Sequence, residues 1–395
     1  MFYIDIEILT MTNNMTKPKN KNFGSGPCAK RPGWNGDFLL KSNLLGRSHR
    51  SKEVMDLILD VESKTRKLLN LPDDYYVAIM PASDTGAFEA AMWNMLGQRA
   101  IDVIHQESFS KGWYVDIIEQ LKLKNIREFA ADFGKVPDVK NVNFDNDVIF
   151  TLNGTTSGVC FNDLSFIPTK RDGLVFCDAT SAAFAMPIDF SKVDVFTYSW
   201  QKALGGEAQH GVLVLSPKAA ERLNSYAPQI PIPKIFQIAK NGKFSQKVFQ
   251  GSVINTPSVM CILDIQDTLN WLESIGGRQE GFDRVEKNCS IMFDFLENSK
   301  YFKNLCDEEQ FRSKTSVCFT CKQNWFVKLD KISQQNFIDK VCAFLAKNQI
   351  AYDIKGYSEA PPSFRVWCGI TIETDDLKHL CNWLNYAYET IFENL

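Results

Sequence analysis

The sequence lacks the features that direct a chain to a membrane or to nucleic acid. No apolar run approaches the ~20 residues that a membrane-spanning helix needs. The formal net charge is -3, so no excess of positive charge favours nucleic acid or an anionic membrane. Residues 1–10 have no basic start, and they carry Asp5 and Glu7. We therefore expect no secretory signal, and neither nucleic acid nor a membrane as partner.

Paired metal-binding motifs and an early dinucleotide-binding motif are also absent. The only CxxC, Cys318 to Cys321, has no second pair and lies in a strand-like run, so buried thiols are favoured over a zinc or redox site. No GxGxxG follows an early strand, which argues against a Rossmann-type dehydrogenase. The 11 cysteines are scattered through apolar stretches. This pattern is typical of free thiols in a reducing cytosol and predicts a cytoplasmic protein without a metal.

The length and the order of apolar patterns indicate two globular parts. The chain has 395 residues, with 45% apolar and 23% charged residues, which is ordinary for a globular protein but long for one core. Between residues 57 and 215 helical patterns alternate with short apolar runs, which predicts an α/β fold with a mostly parallel central sheet. After Arg278 the pattern is α+β. We predict a mobile N-terminal tail over residues 1–21, a large domain over 22–280 and a small α+β C-terminal domain over 281–395.

Local patterns predict the following elements. Helices are expected over residues 51–70, 85–96, 113–123, 259–274, 282–298, 333–347 and 375–392. Strands are expected over residues 75–80, 147–152, 174–177, 193–198, 211–215, 316–321 and 364–368. We expect Ser83 or Asp84 to cap the helix over 85–96. Residues 242–257 have no clear periodicity and are predicted to form a long functional loop.

Lys202 stands where a lysine could carry a cofactor. It follows the apolar strand predicted over 193–198 and precedes the pair Gly205 and Gly206. A Schiff-base lysine needs such a place, held at a strand end, partly desolvated so that its amine can be neutral, and beside room for a planar group. The alternative interpretation is a solvated loop lysine, which is the usual role of a lone lysine after a strand.

Asp178 strengthens the interpretation of Lys202. It ends the strand predicted over 174–177 and lies one strand-loop-strand unit before Lys202. A carboxylate at a buried strand end needs a cationic or multi-donor partner, and the protonated pyridine nitrogen of pyridoxal phosphate (PLP) is such a partner. The alternative is a helix N-cap formed by Asp178 or Thr180.

Three further segments could complete a cofactor site. Residues 80–86 join a strand to a helix, so Ser83, Thr85 and exposed backbone N–H groups suit a phosphate, with Asp84 contributing its backbone rather than its side chain. The glycines and hydroxyls of residues 153–158 could approach a phenolic oxygen. Trp113 could stack on a pyridine ring. The alternatives are a plain capping segment, a turn and a core tryptophan.

Six motifs in this order resemble one known family. They are NFGSGP at 22–27, SHRSKE at 48–53, NGTTSG at 153–158, SWQK at 199–202, INTP at 254–257 and FRVWCG at 364–369. Together they resemble the phosphoserine aminotransferase family, a class V group of the fold-type-I PLP enzymes. The resemblance extends from about residue 22 to the C-terminus.

The resemblance implies PLP as cofactor and a role for each matching residue. Lys202 would hold PLP through a Schiff base and shuttle the proton, Asp178 would pair with the pyridine nitrogen, and Thr155 would bind the phenolic oxygen. Trp113 would stack on the ring. The residues expected to line the cofactor phosphate are Ser83, Asp84, Thr85 and Gln201, with Asn255 and Thr256 from a second subunit. The implied active unit is therefore a homodimer.

The resemblance also implies the substrates. Arg50 and Arg365 would bind the α-carboxylate, and His49 the substrate phosphate; the alternatives are surface salt bridges for the arginines and a solvated loop for the pair His49 and Arg50. In the strand over 364–368, Arg365 is expected to point away from the core. The implied reaction moves the amino group of L-glutamate to 3-phosphohydroxypyruvate in serine biosynthesis, with a possible side reaction in pyridoxine biosynthesis.

The sequence departs from the better-known branch of this family at two places. Gly356 to Glu359 stand where a His-Arg pair is expected, and Thr85 stands where an arginine is expected. Both positions bind the substrate phosphate in that branch. The candidates for that task here are His49, Arg47, Lys52 and Lys355, among which the sequence does not decide.

Two alternatives remain open. The first is another class V enzyme, such as a serine–glyoxylate-type aminotransferase or a cysteine desulfurase, for which Cys368 would be the nearest thiol to Arg365. The second is a catalytically inactive dimeric binding protein that kept the fold. The presence of both Lys202 and Asp178 argues against the second alternative.

Overall fold

The computed structural model describes residues 15–240 and 242–395. In the first part of the chain, helices alternate with strands. In chain order the elements are α1 Asp37–Lys41, α2 Lys52–Leu69, β1 Tyr76–Pro81, α3 Ser83–Met95, β2 Ile101–His105, α4 Ser108–Val115, β3 Ile126–Ala130, β4 Asp147–Thr151, β5 Asn153–Gly154, β6 Val159–Cys160, β7 Val175–Asp178, β8 Val195–Ser199, β9 His210–Leu215 and α5 Pro217–Ser225. One π-helical turn, Asp116–Gln120, continues α4.

The rest of the chain holds longer helices and shorter strands. Its elements are β10 Ala239–Lys240, β11 Lys243–Phe244, α6 Val259–Ser274, α7 Gly277–Asn298, β12 Phe302–Asn304, β13 Ser316–Cys321, α8 Asn324–Val327, α9 Lys331–Lys347, β14 Phe364–Trp367 and α10 Thr374–Glu393. Strands β12, β13 and β14 form a three-stranded antiparallel sheet. We retain residue 280 as the proposed boundary of the C-terminal domain.

A seven-stranded sheet in the order β1-β9-β8-β7-β4-β2-β3 forms the centre of the fold. Strands β8, β7, β4, β2 and β3 run parallel, whereas β9 pairs antiparallel with both β1 and β8. Both faces are buried: Val148 and Phe150 of β4 point into one apolar cluster, and Ile149 points into the other. The predicted α/β fold with a mostly parallel sheet is confirmed. Runs without polar alternation form these strands because helices cover both faces.

The parallel register brings three polar residues into one row at the carboxyl ends of the strands. Thr151 of β4 pairs with Asp178 of β7, and Asp178 pairs with Thr197 of β8. Ligands of open α/β sheets bind outside the carboxyl ends of the strands. The topology therefore directs attention to this edge.

Several predicted boundaries differ from those of the structure. Helix α3 begins at Ser83 itself, preceded by Ala82 in a left-handed conformation, so Ser83 and Asp84 are not side-chain caps. Helix α4 begins at Ser108, where Glu107 caps it by accepting from Ser110 N, five residues before the predicted start. Helix α7 begins at Gly277 rather than near residue 282.

The predicted loop over 242–257 is more structured than expected. It contains β11 and the 3-10 turn Gln246–Phe249. Val248 and Phe249 of that turn are buried in the core beside β1. Aromatic residues from a non-periodic segment pack there because the end of the sheet would otherwise expose apolar surface.

The predicted mobile tail lies partly outside the described residues, which begin at Met15. Residues 15–21 are hydrogen-bonded to the C-terminal elements, which differs from a free tail. Lys19 N donates to Asp376 Oδ1 at 2.6 Å, and Trp383 Nε1 donates to Thr16 O at 3.0 Å. Their polar composition suggested a tail, but their backbone groups find partners on α10. None of the helices in the described ranges is both long and apolar enough to cross a membrane.

Candidate functional site

A buried cleft lies at the carboxyl ends of β4, β7 and β8. It brings together eight residues that the sequence predicted for a cofactor, namely Ser83, Asp84, Thr85, Trp113, Thr155, Asp178, Gln201 and Lys202. They come from four separate parts of the chain. The first turn of α3, the end of α4, the turn after β4 and the segment from β7 to Lys202 meet at this place.

Lys202 is 7% exposed and lies in the floor of the cleft. Burial lowers the pKa of its amine, with a further lowering by Arg365 and a partial opposing effect of Cys28, Asp178 and Glu107. Its Nζ donates a hydrogen bond to the carbonyl of Ser25, in the loop that precedes α1. The predicted desolvated lysine at a strand end is therefore present. A lowered pKa raises the fraction of neutral, nucleophilic amine.

Asp178 is 3% exposed and accepts three hydrogen bonds. Trp113 Nε1 and Thr151 Oγ1 donate to Oδ2 at 3.1 Å and 3.4 Å, and Thr180 N donates to Oδ1 at 3.0 Å. The alternative of a helix N-cap is wrong, because no helix follows Asp178; its bond to Thr180 N closes a local turn. Such donors favour the charged carboxylate.

Asp84 lies in the cleft with its side chain, contrary to the expectation that only its backbone would contribute. It is 7% exposed and faces Asp178 and the hydroxyls of Thr180 and Thr197. Burial, reinforced by Asp178, raises the pKa of this carboxyl well above its ordinary value. The expected repulsion of a phosphate is avoided when the group is neutral.

Three buried polar atoms of the cleft lack a hydrogen-bond partner within the described chain and could bind a ligand. Asn153 Oδ1, Thr180 Oγ1 and Asp84 Oδ1 are buried and have no hydrogen-bond partner among the described residues. Each such atom costs roughly 1–3 kcal/mol when it stays unpaired. Backbone N–H groups at the start of α3 add donors suited to a phosphate. These residues fit a planar, phosphorylated cofactor such as PLP.

Gly86 is required where α3 begins at the cleft. A Cβ on this residue would lie 2.1 Å from the carbonyl oxygen of Pro81. The absence of a side chain lets α3 begin directly against the end of β1. Its first N–H groups thus stay at the mouth of the cleft.

The Asn153–Gly158 segment is held by a hydroxyl network that the sequence analysis missed. Thr155 Oγ1 donates to Ser181 Oγ at 2.8 Å, and Asn153 Nδ2 donates to Ser181 Oγ at 2.6 Å. Thr180 and Ser181 lie two and three residues after Asp178, and Thr151 ends β4. The signal that could have found all three is their position at the carboxyl ends of neighbouring parallel strands.

Glu107 was also missed. It is buried at the start of α4, and its Oε2 accepts from Thr156 Oγ1 at 2.8 Å while Oε1 accepts from Ser110 N at 2.9 Å. It thereby ties the helix that carries Trp113 to the turn that carries Thr155. Burial raises the pKa of this carboxyl to about 7, against the lowering effect of those donors.

Arg365 lies beside Thr155, one of the residues that line the cleft. In β14 it is half-buried, whereas Phe364 and Val366 are fully buried, as the strand alternation predicted. Its Nη1 donates to Thr155 O at 3.5 Å, and its buried Nε has no partner among the described residues. A guanidinium with free donors beside Thr155 can receive a carboxylate.

Four predicted site residues lie elsewhere in the same chain. His49, Arg50, Asn255 and Thr256 line a second cleft, beside Lys234 and Gly251. Arg50, Asn255 and Thr256 are exposed. Arg50 and Arg365 therefore do not lie together within one chain. A shared role in binding one carboxylate within a single subunit would require that they did.

The other candidates for a substrate phosphate are engaged in ion pairs. Arg47 pairs with Glu53 at 3.1 Å, Lys52 with Asp56 at 2.6 Å, and Lys355 with Asp339 at 2.7 Å. These exposed pairs are weak and do not exclude a role. His49 is the remaining candidate.

Among the described residues, the cysteines and potential metal ligands form neither a reactive thiol site nor a metal site. Cys318 and Cys321 are buried in β13, as predicted, and burial raises the pKa of Cys318 to about 12. Cys368 is fully buried, and its thiol pKa is raised well above the ordinary value. A cysteine desulfurase needs an accessible, activated thiol, and Cys368 does not meet this requirement. Within residues 15–240 and 242–395 no cluster of three metal-ligating side chains occurs.

The chain is similar to known proteins over nearly its whole length. The chain is 48% identical over 374 residues to "Phosphoserine aminotransferase" of Methanosarcina barkeri, covering 95% of this chain and 98% of the relative. The same identity and coverage hold for the protein of that name from Methanosarcina mazei. No family model matches the sequence.

Solved structures show the same fold. A phosphoserine aminotransferase from Cytophaga hutchinsonii superimposes with a TM-score of 0.78 at 22% identity, covering 93% of this chain and 98% of that one. A PLP-bound phosphoserine aminotransferase from Trichomonas vaginalis gives a TM-score of 0.73 at 18% identity, covering 93% and 100%.

Proposed function

The chain belongs to the phosphoserine aminotransferase family, and we propose that it moves the amino group of L-glutamate to 3-phosphohydroxypyruvate, giving O-phospho-L-serine and 2-oxoglutarate. It is a PLP-dependent transaminase. The observation that carries the proposal is the single buried cleft that Lys202 and Asp178 share at the ends of neighbouring strands. The same enzyme would serve serine biosynthesis in the cytoplasm, with a side reaction in pyridoxine biosynthesis.

We assign the cofactor contacts to the residues of this cleft. Asp178 pairs with the pyridine nitrogen, Thr155 with the phenolic oxygen, and Trp113 covers the ring. The residues that would hold the phosphate are Ser83, Thr85 and Gln201 with their side chains, and Asp84 with its backbone N–H only. When bound, PLP supplies a carbonyl for the substrate amine and an electron-withdrawing ring. Support comes from the unpaired polar atoms that line the cleft.

Lys202 has two tasks in this proposal. Its neutral amine would hold the cofactor, and its Nζ would take the proton from the substrate α-carbon. The lowered pKa favours both tasks, because only the neutral amine is a nucleophile and a base. The hydrogen bond to the Ser25 carbonyl orients this amine.

Arg365 would bind the α-carboxylate of both substrates. Its unpaired Nε and its weak 3.5 Å contact with Thr155 O leave donors available. A planar guanidinium offers two parallel N–H bonds to a carboxylate, which a lysine does not.

We propose that the active unit is a homodimer in which each subunit completes the cleft of the other. Asn255 and Thr256 would reach the cofactor phosphate of the partner, and His49 with Arg50 would reach the partner's substrate. The four residues share one exposed cleft, so one surface can carry them into a neighbouring site together. In this arrangement Arg50 of one subunit lies beside Arg365 of the other and binds the carboxylate or the phosphate of the substrate there.

Mixed dimers test this arrangement. When Lys202→Ala and Arg50→Glu chains are co-expressed, half of the dimers should be mixed, and each mixed dimer should contain one intact site. We expect recovery of about a quarter of wild-type activity, although each variant alone is inactive or nearly so. The matched control pairs Lys202→Ala with Arg365→Glu, which in this proposal serve the site of the same subunit and should not complement. Equal behaviour of the two mixtures would disprove the shared site.

The substrate assignment is tested by measuring 2-oxoglutarate formation from glutamate with two acceptors. We expect kcat/KM for 3-phosphohydroxypyruvate to exceed that for hydroxypyruvate by at least about a hundredfold, because an unpaired cationic site costs several kcal/mol. A preference for hydroxypyruvate would overturn the substrate. Turnover with serine and glyoxylate, but not with glutamate, would favour the serine–glyoxylate alternative. A lack of turnover with every donor, despite PLP binding, would favour the binding protein.

A further inference from the structure

Asp84 is a second buried carboxyl in the cleft, and its side chain has no part in the reaction described above. It lies with Asp178 in the lining of the same cavity. Its Oδ1 is buried without a hydrogen-bond partner, and no cationic side chain among residues 15–240 and 242–395 pairs with it. A buried carboxylate without such a partner is strongly unfavourable.

The backbone holds Asp84 in this position at a cost. Ala82 and Ser83, which precede it, have φ values of 65° and 56°, a region that residues with a Cβ rarely adopt. Ser83 N donates to Gln209 O at 3.2 Å, and a Cβ on Gly211 would lie 2.1 Å from Ser83 O. Strain of this kind persists only where the surroundings enforce it. The proximity of Asp84 to Asp178 is thus fixed by the junction of β1 with α3.

The two carboxyls differ in their donors. Asp178 accepts from Trp113, Thr151 and Thr180. Asp84 accepts no hydrogen bond of good geometry, although it faces the hydroxyls of Thr180 and Thr197, which also lack partners. Donors stabilise a negative charge, so the charge belongs on Asp178. Two facing carboxylates can only accept, and a hydrogen bond between them requires one proton.

The other titratable groups around Asp84 do not supply a compensating cation. Cys177 of β7 and Glu107 at the start of α4 are acidic groups whose pKa values are raised by burial. His210 of β9 has its pKa lowered to about 4, and burial also lowers the pKa of Lys202. The field at the start of α3 favours an anion by only about 0.3–1 kcal/mol. Burial beside a second carboxylate outweighs that gain.

We propose that Asp84 is a neutral carboxylic acid that donates a hydrogen bond to Asp178, so that the pair carries one negative charge toward the cofactor. The proton positions Asp178 for the pyridine nitrogen and leaves the start of α3 free of negative charge for the cofactor phosphate. Asp84 is accordingly a positioning residue, since it acts on the ring through Asp178. The effect of this proton on the cofactor rests on the proposed function, whereas the proton on Asp84 does not.

Infrared spectroscopy of the full-length protein tests the proton directly. At neutral pH, the difference spectrum between wild type and Asp84→Asn should contain the carbonyl band of a protonated carboxylic acid, present in wild type and lost in the variant. Asp84→Ser, which changes size and hydrogen bonding, should lose the same band. Asp73→Asn, an exposed acid before β1, should lose only ionised-carboxylate bands. A difference spectrum for Asp84→Asn with only ionised-carboxylate bands would refute the proposal.

A second variant tests the coupling. In Asp178→Asn the like-charge neighbour is gone, so the acid band of Asp84 should disappear at a lower pH than in wild type. An unchanged titration would mean that the two groups do not share a proton. Neither measurement uses turnover. A failed substrate assay therefore does not affect this test. Conversely, the absence of the acid band would refute the role of Asp84 without refuting the proposed reaction.

The cofactor gives an independent readout. Asp84→Asn keeps an N–H donor and adds no charge, so its PLP dissociation constant at neutral pH should stay within about threefold of wild type. An ionised Asp84 would instead repel the phosphate, and its replacement by asparagine would tighten binding by about tenfold or more. That gain would contradict the proposal.

Discussion

The indole nitrogen of Trp113 donates a hydrogen bond to Asp178, with 3.1 Å between Trp113 Nε1 and Asp178 Oδ2. This contact joins α4 to the end of β7 across the cleft. In our account the same tryptophan covers the ring and orients the carboxylate that holds the ring nitrogen. Neither task is visible in the sequence spacing, because 65 residues separate the partners.

Trp113→Phe should separate these two tasks. The phenyl ring keeps an apolar cover but removes the donor, and a hydrogen bond to a charged group contributes about 1.5–3 kcal/mol. We expect PLP to dissociate about 10- to 100-fold more readily, measured by equilibrium titration of the apoprotein. Trp93→Phe is the control, since Trp93 contacts Phe236 outside the cleft. Unchanged PLP affinity in Trp113→Phe would show that the hydrogen bond is not used.

Arg365→Lys should affect substrates rather than the cofactor. Lysine keeps the charge but loses the two-pronged geometry, so we expect KM for glutamate to rise about tenfold or more while PLP affinity stays unchanged. Steady-state kinetics over a range of glutamate concentrations measure this. Arg99→Lys, at an exposed position near Asp172, should leave KM unaltered. A Arg365→Lys enzyme with wild-type KM would remove Arg365 from the carboxylate site.

Glu107→Gln should change the pH dependence of stability. Burial raises the pKa of Glu107 to about 7 in the folded chain, above its value when unfolded. The folded state then holds the proton more tightly, so wild-type stability falls as pH rises from about 4 to about 7. The neutral glutamine lacks this loss, and the unfolding free energy of the variant relative to wild type should grow by about 3 kcal/mol across that range.

Denaturant unfolding at several pH values measures this difference. Glu119→Gln, an exposed acid in the π-helical turn after α4, is the control and should follow wild type at every pH. A Glu107→Gln curve parallel to wild type would mean that Glu107 is ionised in the folded protein. Its hydrogen bonds from Thr156 and Ser110 would then outweigh burial.

The sequence predicted the sheet and the cleft through strongly local signals. The apolar runs of β4, β7, β8 and β9 were found because both faces of these strands are buried, and Lys202 and Asp178 were found because they follow such runs. The 16-residue helix α6 was predicted at its observed bounds, Val259–Ser274, and the structure shows that the Ser258 side chain caps its start. Elements with a strong local apolar pattern were therefore predicted correctly.

Other features depended on contacts distant in sequence. Helix α4 starts at Ser108 because the Glu107 side chain caps it, which short-range periodicity does not reveal. The side-chain role of Asp84 was missed because a carboxylate seemed incompatible with a phosphate, whereas burial beside Asp178 raises its pKa. The separation of Arg50 from Arg365 was missed because the resemblance assigned only Asn255 and Thr256 to a second subunit.

The central claim is the covalent capture of PLP by Lys202, and reduction with borohydride tests it most directly. Purified protein is incubated with PLP, reduced, digested and analysed by mass spectrometry, with Lys192→Ala as a control for another lysine of the same domain and Lys202→Ala as the test. The account predicts one stable adduct on the peptide that contains residue 202, present in wild type and Lys192→Ala and absent in Lys202→Ala. An adduct on another lysine, or none in wild type, would contradict it.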